Sequence, residues 1–244
     1  MPRIMLDAHV HLHPGKPPIR ALREGRKRMA EMAAGVCLPV VLLAEQQGCN
    51  AFESLRARAH PTREAESLWL DNASISPLLI LAGRQVVSAE GLEILAQATA
   101  AQFSDGEPAE QLLEAMTAAG AIITLPWGAG KWLGRRGRLL DRLLAADLEG
   151  ALLLGDNGGR PAWWREPRLM ARPVLRGSDP LPLAGEDARI GSFGSMLEGA
   201  LSRERPAADL RALLRALRQP PPGFGRHVSS LRFVSHQLRM RIAA

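Results

Sequence analysis

Residues 5–15 read Met5-Leu6-Asp7-Ala8-His9-Val10-His11-Leu12-His13-Pro14-Gly15, an apolar run that ends in polar side chains at strict alternation. On a β-strand successive side chains point to opposite faces. The spacing therefore predicts Asp7, His9, His11 and His13 on one face and Ala8, Val10 and Leu12 on the other. Imidazoles two residues apart at a strand end converge on one point. Neutral imidazole and carboxylate are usual ligands of first-row divalent ions, which makes His9 and His11 candidate metal ligands. A polar strand end facing water is the competing reading, and it must place three alternating histidines there in a chain of six.

The chain has 244 residues and 46% hydrophobic content, enough to bury the core of one large α/β domain. A single domain is expected over 1–244, with 220–244 as a C-terminal helical extension after the break Gln219-Pro220-Pro221-Pro222-Gly223. No apolar run approaches the roughly 18 residues of a membrane span. The opening residues lack the basic, apolar and small-residue succession of a secretory signal. Cys37 and Cys49 suggest no disulfide framework, and Cys37, in an apolar segment, is expected in the core. These features together predict a soluble, cytoplasmic protein.

Net charge is +6, and only three of the 31 basic residues are Lys. Arginine forks suit phosphate and carboxylate groups, so a small anionic substrate is expected. No helix-turn-helix, zinc-finger or RNA-binding signature accompanies the charge, and the expectation is against a nucleic-acid partner.

Short apolar segments ending in Gly, Asp or Pro alternate along the chain with longer Ala-, Leu- and Arg-rich segments of helical period. Strands are predicted near 3–8, 38–43, 82–88, 92–97, 121–126, 150–155, 173–177 and 189–193. Helices are predicted over 18–34, 48–59, 108–119, 135–147, 195–203, 206–218 and 228–241. Strands alternating with helices favour parallel pairing, with 82–88 and 92–97 forming an inserted hairpin around Ala89-Glu90-Gly91. About seven βα units result, which favours a closed or nearly closed barrel over an open sheet.

In βα barrels the chemistry collects at the C-terminal strand ends. Those ends here carry Asp7, His9 and His11; Ala44-Glu45-Gln46-Gln47; Gln85 and Glu93; Pro126-Trp127-Gly128-Ala129-Gly130-Lys131-Trp132; Gly155-Asp156-Asn157-Gly158-Gly159-Arg160; and Gly177-Ser178-Asp179. Polar or Gly-rich sequence at nearly every one reads as a pocket. The order Asp7-Ala-His9-Val-His11, Gly83-Arg-Gln85 leading to Glu90-Gly91-Leu-Glu93, then Gly177-Ser-Asp179 with Arg189-Ile-Gly191-Ser-Phe193, resembles that of the PHP family. Its members are polymerase and histidinol phosphatase metal-dependent phosphoesterases, distantly amidohydrolase-like. The resemblance spans roughly residues 4–195. It implies an α/β fold, a distorted TIM-like (βα)7 barrel with metal at its mouth, and phosphoester hydrolysis by water activated on that metal.

Departures from the family pattern bear on the metal count. The second strand ends in Ala44-Glu45-Gln46 where the family has Thr-Asp-His. Gln85 and Glu93 stand where it has Glu and His, Pro126-Trp127 replaces His-Pro, and Asp179-Pro180-Leu181 replaces Asp-X-His. Leu and Pro cannot coordinate, so one divalent ion, Zn, Mn or Fe, is expected rather than three. The candidate ligands are His9, His11, Asp179, Glu45 and Glu93, and His13 and Asp156 are further candidates. Such an ion lowers the pKa of its water to about 7. The candidate catalytic residues are Asp179, Lys131 and Asp156; the candidate substrate-binding residues are Trp127, Lys131, Arg135, Asn157 and Arg160. Two alternatives stand beside the phosphoesterase: a mononuclear amidohydrolase-type hydrolase, and a degenerate barrel that binds a ligand or protein without catalysis. His227 and His236, among Arg226, Arg232, Arg239 and Arg241, are expected on the polar face of a terminal helix closing the barrel floor or edge.

Overall fold

A computed structural model describes residues 3–13, 15, 18–33, 35–72 and 75–243. The elements in chain order are β1 (Arg3–Val10), α1 (Pro18–Met32), β2 (Cys37–Leu43), α2 (Ala51–Leu55), β3 (His60–Pro61), β4 (Ser67–Asn72), β5 (Ile75–Leu81), β6 (Gly83–Val87), β7 (Glu93–Gln97), α3 (Ala109–Ala118), β8 (Ile122–Pro126), α4 (Gly134–Ala146), β9 (Leu152–Asn157), β10 (Val174–Gly177), β11 (Phe193–Glu198), α5 (Pro206–Arg215), β12 (Gly223–Gly225) and α6 (Ser230–Ala243). The helix predicted over 18–34 runs to Met32, and residue 34 lies outside the described residues. None of these helices is long and apolar enough to cross a membrane.

The strands form two sheets, ordered β12-β11-β1-β2-β5-β4-β3 and β10-β9-β8-β7-β6. The predicted closed or nearly closed barrel is corrected accordingly: among the described residues this is a mixed α/β fold of two sheets without continuous pairing around a ring. The two sheets touch along two seams. At one, Glu45 N donates to Gly83 O at 3.0 Å and Gln85 N to Glu45 O at 2.9 Å. At the other, Asp179 N donates to His9 O at 2.8 Å. Glycine makes the second seam possible, because a Cβ on Gly177 would stand 2.3 Å from His9 N.

Between the sheets lies a core of Ile4, Leu6 and Ala8 from β1, Val40 and Leu42 from β2, and Ile122, Leu153 and Leu175 from the second sheet. The opposite side of the first sheet buries Met5, Val41 and Leu43 against Leu22 and Met29 of α1. The second sheet packs Ile94, Ile123 and Leu154 under α3 and α4, through Leu112, Met116 and Leu140. Helices α1, α3 and α4 thus bury the apolar stripe that their period predicts.

Several parts of the chain depart from the sequence reading, among them the strand predicted near 189–193, where Glu186–Arg189 is a 3-10 turn and β11 starts only at Phe193. The segment 195–203, where Met196, Leu197, Ala200 and Leu201 fit helical spacing, is strand over 195–198 and irregular beyond it, because β11 pairs antiparallel with β1 from Arg3↔Glu198 to Leu6↔Ser195. Tertiary pairing overrides local period there. The strand predicted near 82–88 is β6, and the apolar stretch before it, left without an element, is a further strand, β5. The chain leaves the first sheet at Ala82 and enters the second at Gly83.

Candidate metal centre

β1 carries the first two site residues, and an irregularity in it decides where they point. Its register against β2 shifts between Asp7 and Val10. Met5 and Val10, of opposite parity, consequently pack in the same cluster under α1. Asp7 and His9 therefore do not share a face, which corrects the strict alternation expected for this strand.

Asp7 is fully buried and turned to internal donors. It accepts from Ser178 N at 2.8 Å, Ser178 Oγ at 2.6 Å and Gly191 N at 2.7 Å. Burial pushes its carboxyl up to about 6, against these bonds, which favour the anion. At neutral pH it is ionised and holds the loop after β10 against β1.

The Ser178 anchor delivers Asp179. This residue has φ +45°, a left-handed conformation uncommon outside glycine, fixed on one side by Ser178 and by its own amide bond to His9 O. Its Oδ1 lies 3.7 Å from His9 Nε2 and 3.5 Å from His11 Nε2, and the two nitrogens are 3.0 Å apart. Its Oδ2 accepts from Asn157 Nδ2 at 2.9 Å, and the same amide group donates to Trp127 O at 2.8 Å. Gln85 Oε1 stands 3.1 Å from His9 Nε2.

Protonation states follow from these contacts. Burial raises the Asp179 carboxyl, but His9, His11 and Lys131 outweigh it and hold the group well below the usual carboxylate range. Burial lowers the His9 imidazole, with Asp179 opposing and His11 reinforcing the shift. A neutral imidazole beside an ionised carboxylate is the state in which both act as metal ligands.

These residues fit a cation. The three ligand atoms form a triangle whose edges are 3.0, 3.5 and 3.7 Å, and a point equidistant from them lies about 2.0 Å from each, the bond length of zinc to imidazole nitrogen and carboxylate oxygen. His9 Nε2 faces two acceptor oxygens, Gln85 Oε1 and Asp179 Oδ1, together with the ring nitrogen of His11, and one ring N–H can satisfy only one of these oxygens. Among the described residues, His9, His11 and Asp179 form a group whose ligand atoms all lie within 4.8 Å of one another.

The other candidates are placed as follows. Glu45 is buried at the start of α2, where its Oε1 accepts from Phe52 N at 2.9 Å and its Oε2 lies 3.8 Å from Arg84. Burial raises its carboxyl, against Phe52 and Arg84. Glu93 pairs with Lys131. Asp156 is gripped by both Nε and Nη2 of Arg160, at 2.7 and 2.8 Å, and by His227 at 2.9 Å. Asp156 and Arg160 thus spend their charge on each other. Arg135 is exposed on α4 and lines a separate depression with Glu90 and Arg142. His13 Nε2 meets Pro180 O at 2.8 Å.

Trp127, Lys131, Asn157 and Asp179 line one cavity of about 210 Å³. Sequence reading missed two of its walls. One is Arg189. The other is α6, whose Phe233, His236, Gln237 and Met240 line the cavity at helical spacing. The terminal helix therefore roofs the site instead of presenting a polar face at a barrel floor or edge: His236 is buried on its inner side, and His227 precedes the helix and pairs with Asp156. Its tether begins at Val228, whose N donates to Gly158 O at 2.9 Å, and continues through Trp163 Nε1 to Ser230 Oγ at 2.9 Å.

No protein-family model matches the chain, and no curated protein matches its sequence. Solved structures do match. PsfC from Pseudomonas syringae PB-5123 is 14% identical with a TM-score of 0.58, over 100% of this chain and 99% of that one. Endonuclease Q, in complex with a 27-mer duplex substrate carrying an abasic lesion at the active site, is 13% identical with a TM-score of 0.54, over 96% of this chain and 66% of that one. The lesion-specific endonuclease PfuEndoQ from Pyrococcus furiosus is 15% identical with a TM-score of 0.50, over 91% and 59%. The fold is PHP-like. This likeness corrects the expectation against nucleic acid: a protein of the same fold is solved with duplex DNA at its active site, so missing helix-turn-helix or zinc-finger signatures exclude nothing here. The chain spans about two thirds or less of the two endonucleases.

Proposed function

We propose that this PHP-like chain is a metal-dependent hydrolase of phosphoester bonds, using one divalent ion, Zn, Mn or Fe, held by His9, His11 and Asp179. The observation that carries the reading is the triangle of ligand atoms, which fits one ion at ordinary bond lengths. The substrate is an anion bearing a phosphoryl group, either a small molecule or a nucleic-acid strand.

When bound, such an ion supplies Lewis acidity toward a phosphoryl oxygen and makes coordinated water more acidic. The chain's own residues set the conditions. Asp179, an ionised carboxylate beside the two imidazoles, serves as a ligand. Asn157 fixes the orientation of that carboxylate through Oδ2. Lys131, half-exposed at the cavity and paired with Glu93, offers a positive charge to the incoming anion. Trp127, Phe233 and Met240 give the cavity an apolar wall that limits water and strengthens these charges.

The test is hydrolysis by full-length protein freed of metal and reloaded with Zn, Mn or Fe(II). The substrates are p-nitrophenyl phosphate, bis-p-nitrophenyl phosphate and an abasic-site DNA duplex. Cleavage of at least one, dependent on the ion and lost in His11→Ala, is the expected result; an ion-loaded protein that cleaves none of them refutes phosphoester hydrolysis. A binding module without catalysis is the second reading. It draws support from Glu45 and Asp156, two carboxylates that could enlarge the ligand set but are engaged by Arg84 and Arg160.

A further inference from the structure

The cavity beside Asp179 has a charged wall that the reading above leaves without a role. Arg189 ends the 3-10 turn at 186–189, is 6% exposed, and lines the cavity with Asn157, Gly159 and Lys131. Its guanidinium lies against backbone that has no side chains to block it. A Cβ on Gly158 would stand 2.7 Å from Arg189 Nη2, and one on Gly159 4.0 Å from Nη1.

Glu186 Oε2 accepts from Arg189 Nη1 at 3.2 Å, but this carboxylate is shared. Its Oε1 accepts from Arg232 Nη2 at 2.8 Å and faces His236 Nε2 at 3.2 Å, both from α6. One buried carboxylate therefore serves two guanidinium groups. Even with His236 neutral, the cluster keeps a net positive charge next to the cavity. A buried charge that its partners do not fully compensate is costly until an anion completes it. Among anions, the planar guanidinium fork matches two oxygens of one phosphoryl group.

We propose that Arg189 is the residue that binds the phosphoryl group of the substrate, positioned by Glu186, and that α6 keeps its charge available by drawing on the same carboxylate through Arg232. The proposal rests on the phosphoester reading and adds to it the residue that recognises the anion. It also gives the roofing helix a function: losing the Arg232 contact leaves Glu186 to neutralise Arg189 alone.

The experiment is calorimetric titration of full-length protein with inorganic phosphate, with and without Zn, in wild type, Arg189→Gln, Arg189→Lys and Arg232→Ala. Metal-free protein separates the arginine from the ion. Arg189→Gln is expected to weaken phosphate binding at least tenfold, and Arg189→Lys several-fold, because the charge stays and the fork goes. Arg232→Ala is expected to weaken it two- to threefold. In wild type the Arg189 Nε–H resonance, assigned by its loss in Arg189→Lys, should shift as phosphate is added, which keeps the test decisive even where Arg189→Gln fails to fold. Phosphate binding of wild-type strength in Arg189→Gln, or an unmoved Arg189 resonance while phosphate binds, overturns this proposal alone. A wild type that binds no phosphate with or without Zn overturns it together with the phosphoester reading.

Discussion

Asp7 takes both the backbone amide and the hydroxyl of Ser178, at 2.8 and 2.6 Å, across 171 positions of sequence. The residue before Asp179 is thereby pinned to the strand that carries His9, whose own amide donates to Asp7 Oδ1 at 3.4 Å, so Asp7 assembles the metal centre without its carboxylate facing the three ligand atoms. Asp7→Ala removes the carboxylate that accepts from three buried backbone amides, those of Ser178, Gly191 and His9, and from the Ser178 hydroxyl. The expected loss is about 3 kcal/mol of folding stability, together with loss of tight metal binding. Urea denaturation at neutral pH checks the first and metal titration the second; a change below about 1 kcal/mol contradicts the anchoring role.

Asn157 joins Trp127 O to Asp179 Oδ2 through one amide group. Removing such an outer partner lets the ligand carboxylate rotate away from the ion. Asn157→Ala is predicted to weaken metal affinity about 10- to 100-fold with the fold intact. Competition with a chelating dye measures this, and an unchanged dissociation constant would show that Asp179 is oriented by the backbone alone.

His236 provides the pH dependence. Burial lowers its imidazole from 6.5; Glu186 opposes this, and Arg189, Arg232 and Arg239 add to it. The unfolded chain therefore gains this proton first as pH falls through about 6.5. Stability contributed by seated α6 is present above that pH and lost progressively below it. His236→Gln should show a flatter decline between pH 7.5 and 5.5 than wild type. Urea midpoints at the two pH values decide it, and parallel declines exclude His236 as the titrating group.

Much of this architecture was legible because local period and burial agree. The stripes of α1, α3, α4 and α5 match their predicted segments within a few residues. His9, His11 and Asp179 were readable as candidates because polar side chains at the ends of apolar strands are there for a reason beyond packing. What escaped the sequence depended on distant partners. β4 and β5 were not read as strands, because the apolar run into β6 conceals the bend at Ala82. The bulge in β1 separates Asp7 from His9, and strict alternation gives no sign of it. Arg189 and the inner face of α6 look like ordinary arginine-rich surface until the fold sets that helix over Asp179.

Metal stoichiometry tests the central claim most directly. Full-length protein stripped of metal and titrated with Zn by calorimetry should bind one ion per chain. His9→Ala, His11→Ala and Asp179→Ala should each abolish that tight site while remaining folded by circular dichroism. A wild type that takes up no stoichiometric ion, or an Asp179→Ala protein that binds it as tightly as wild type, contradicts the account.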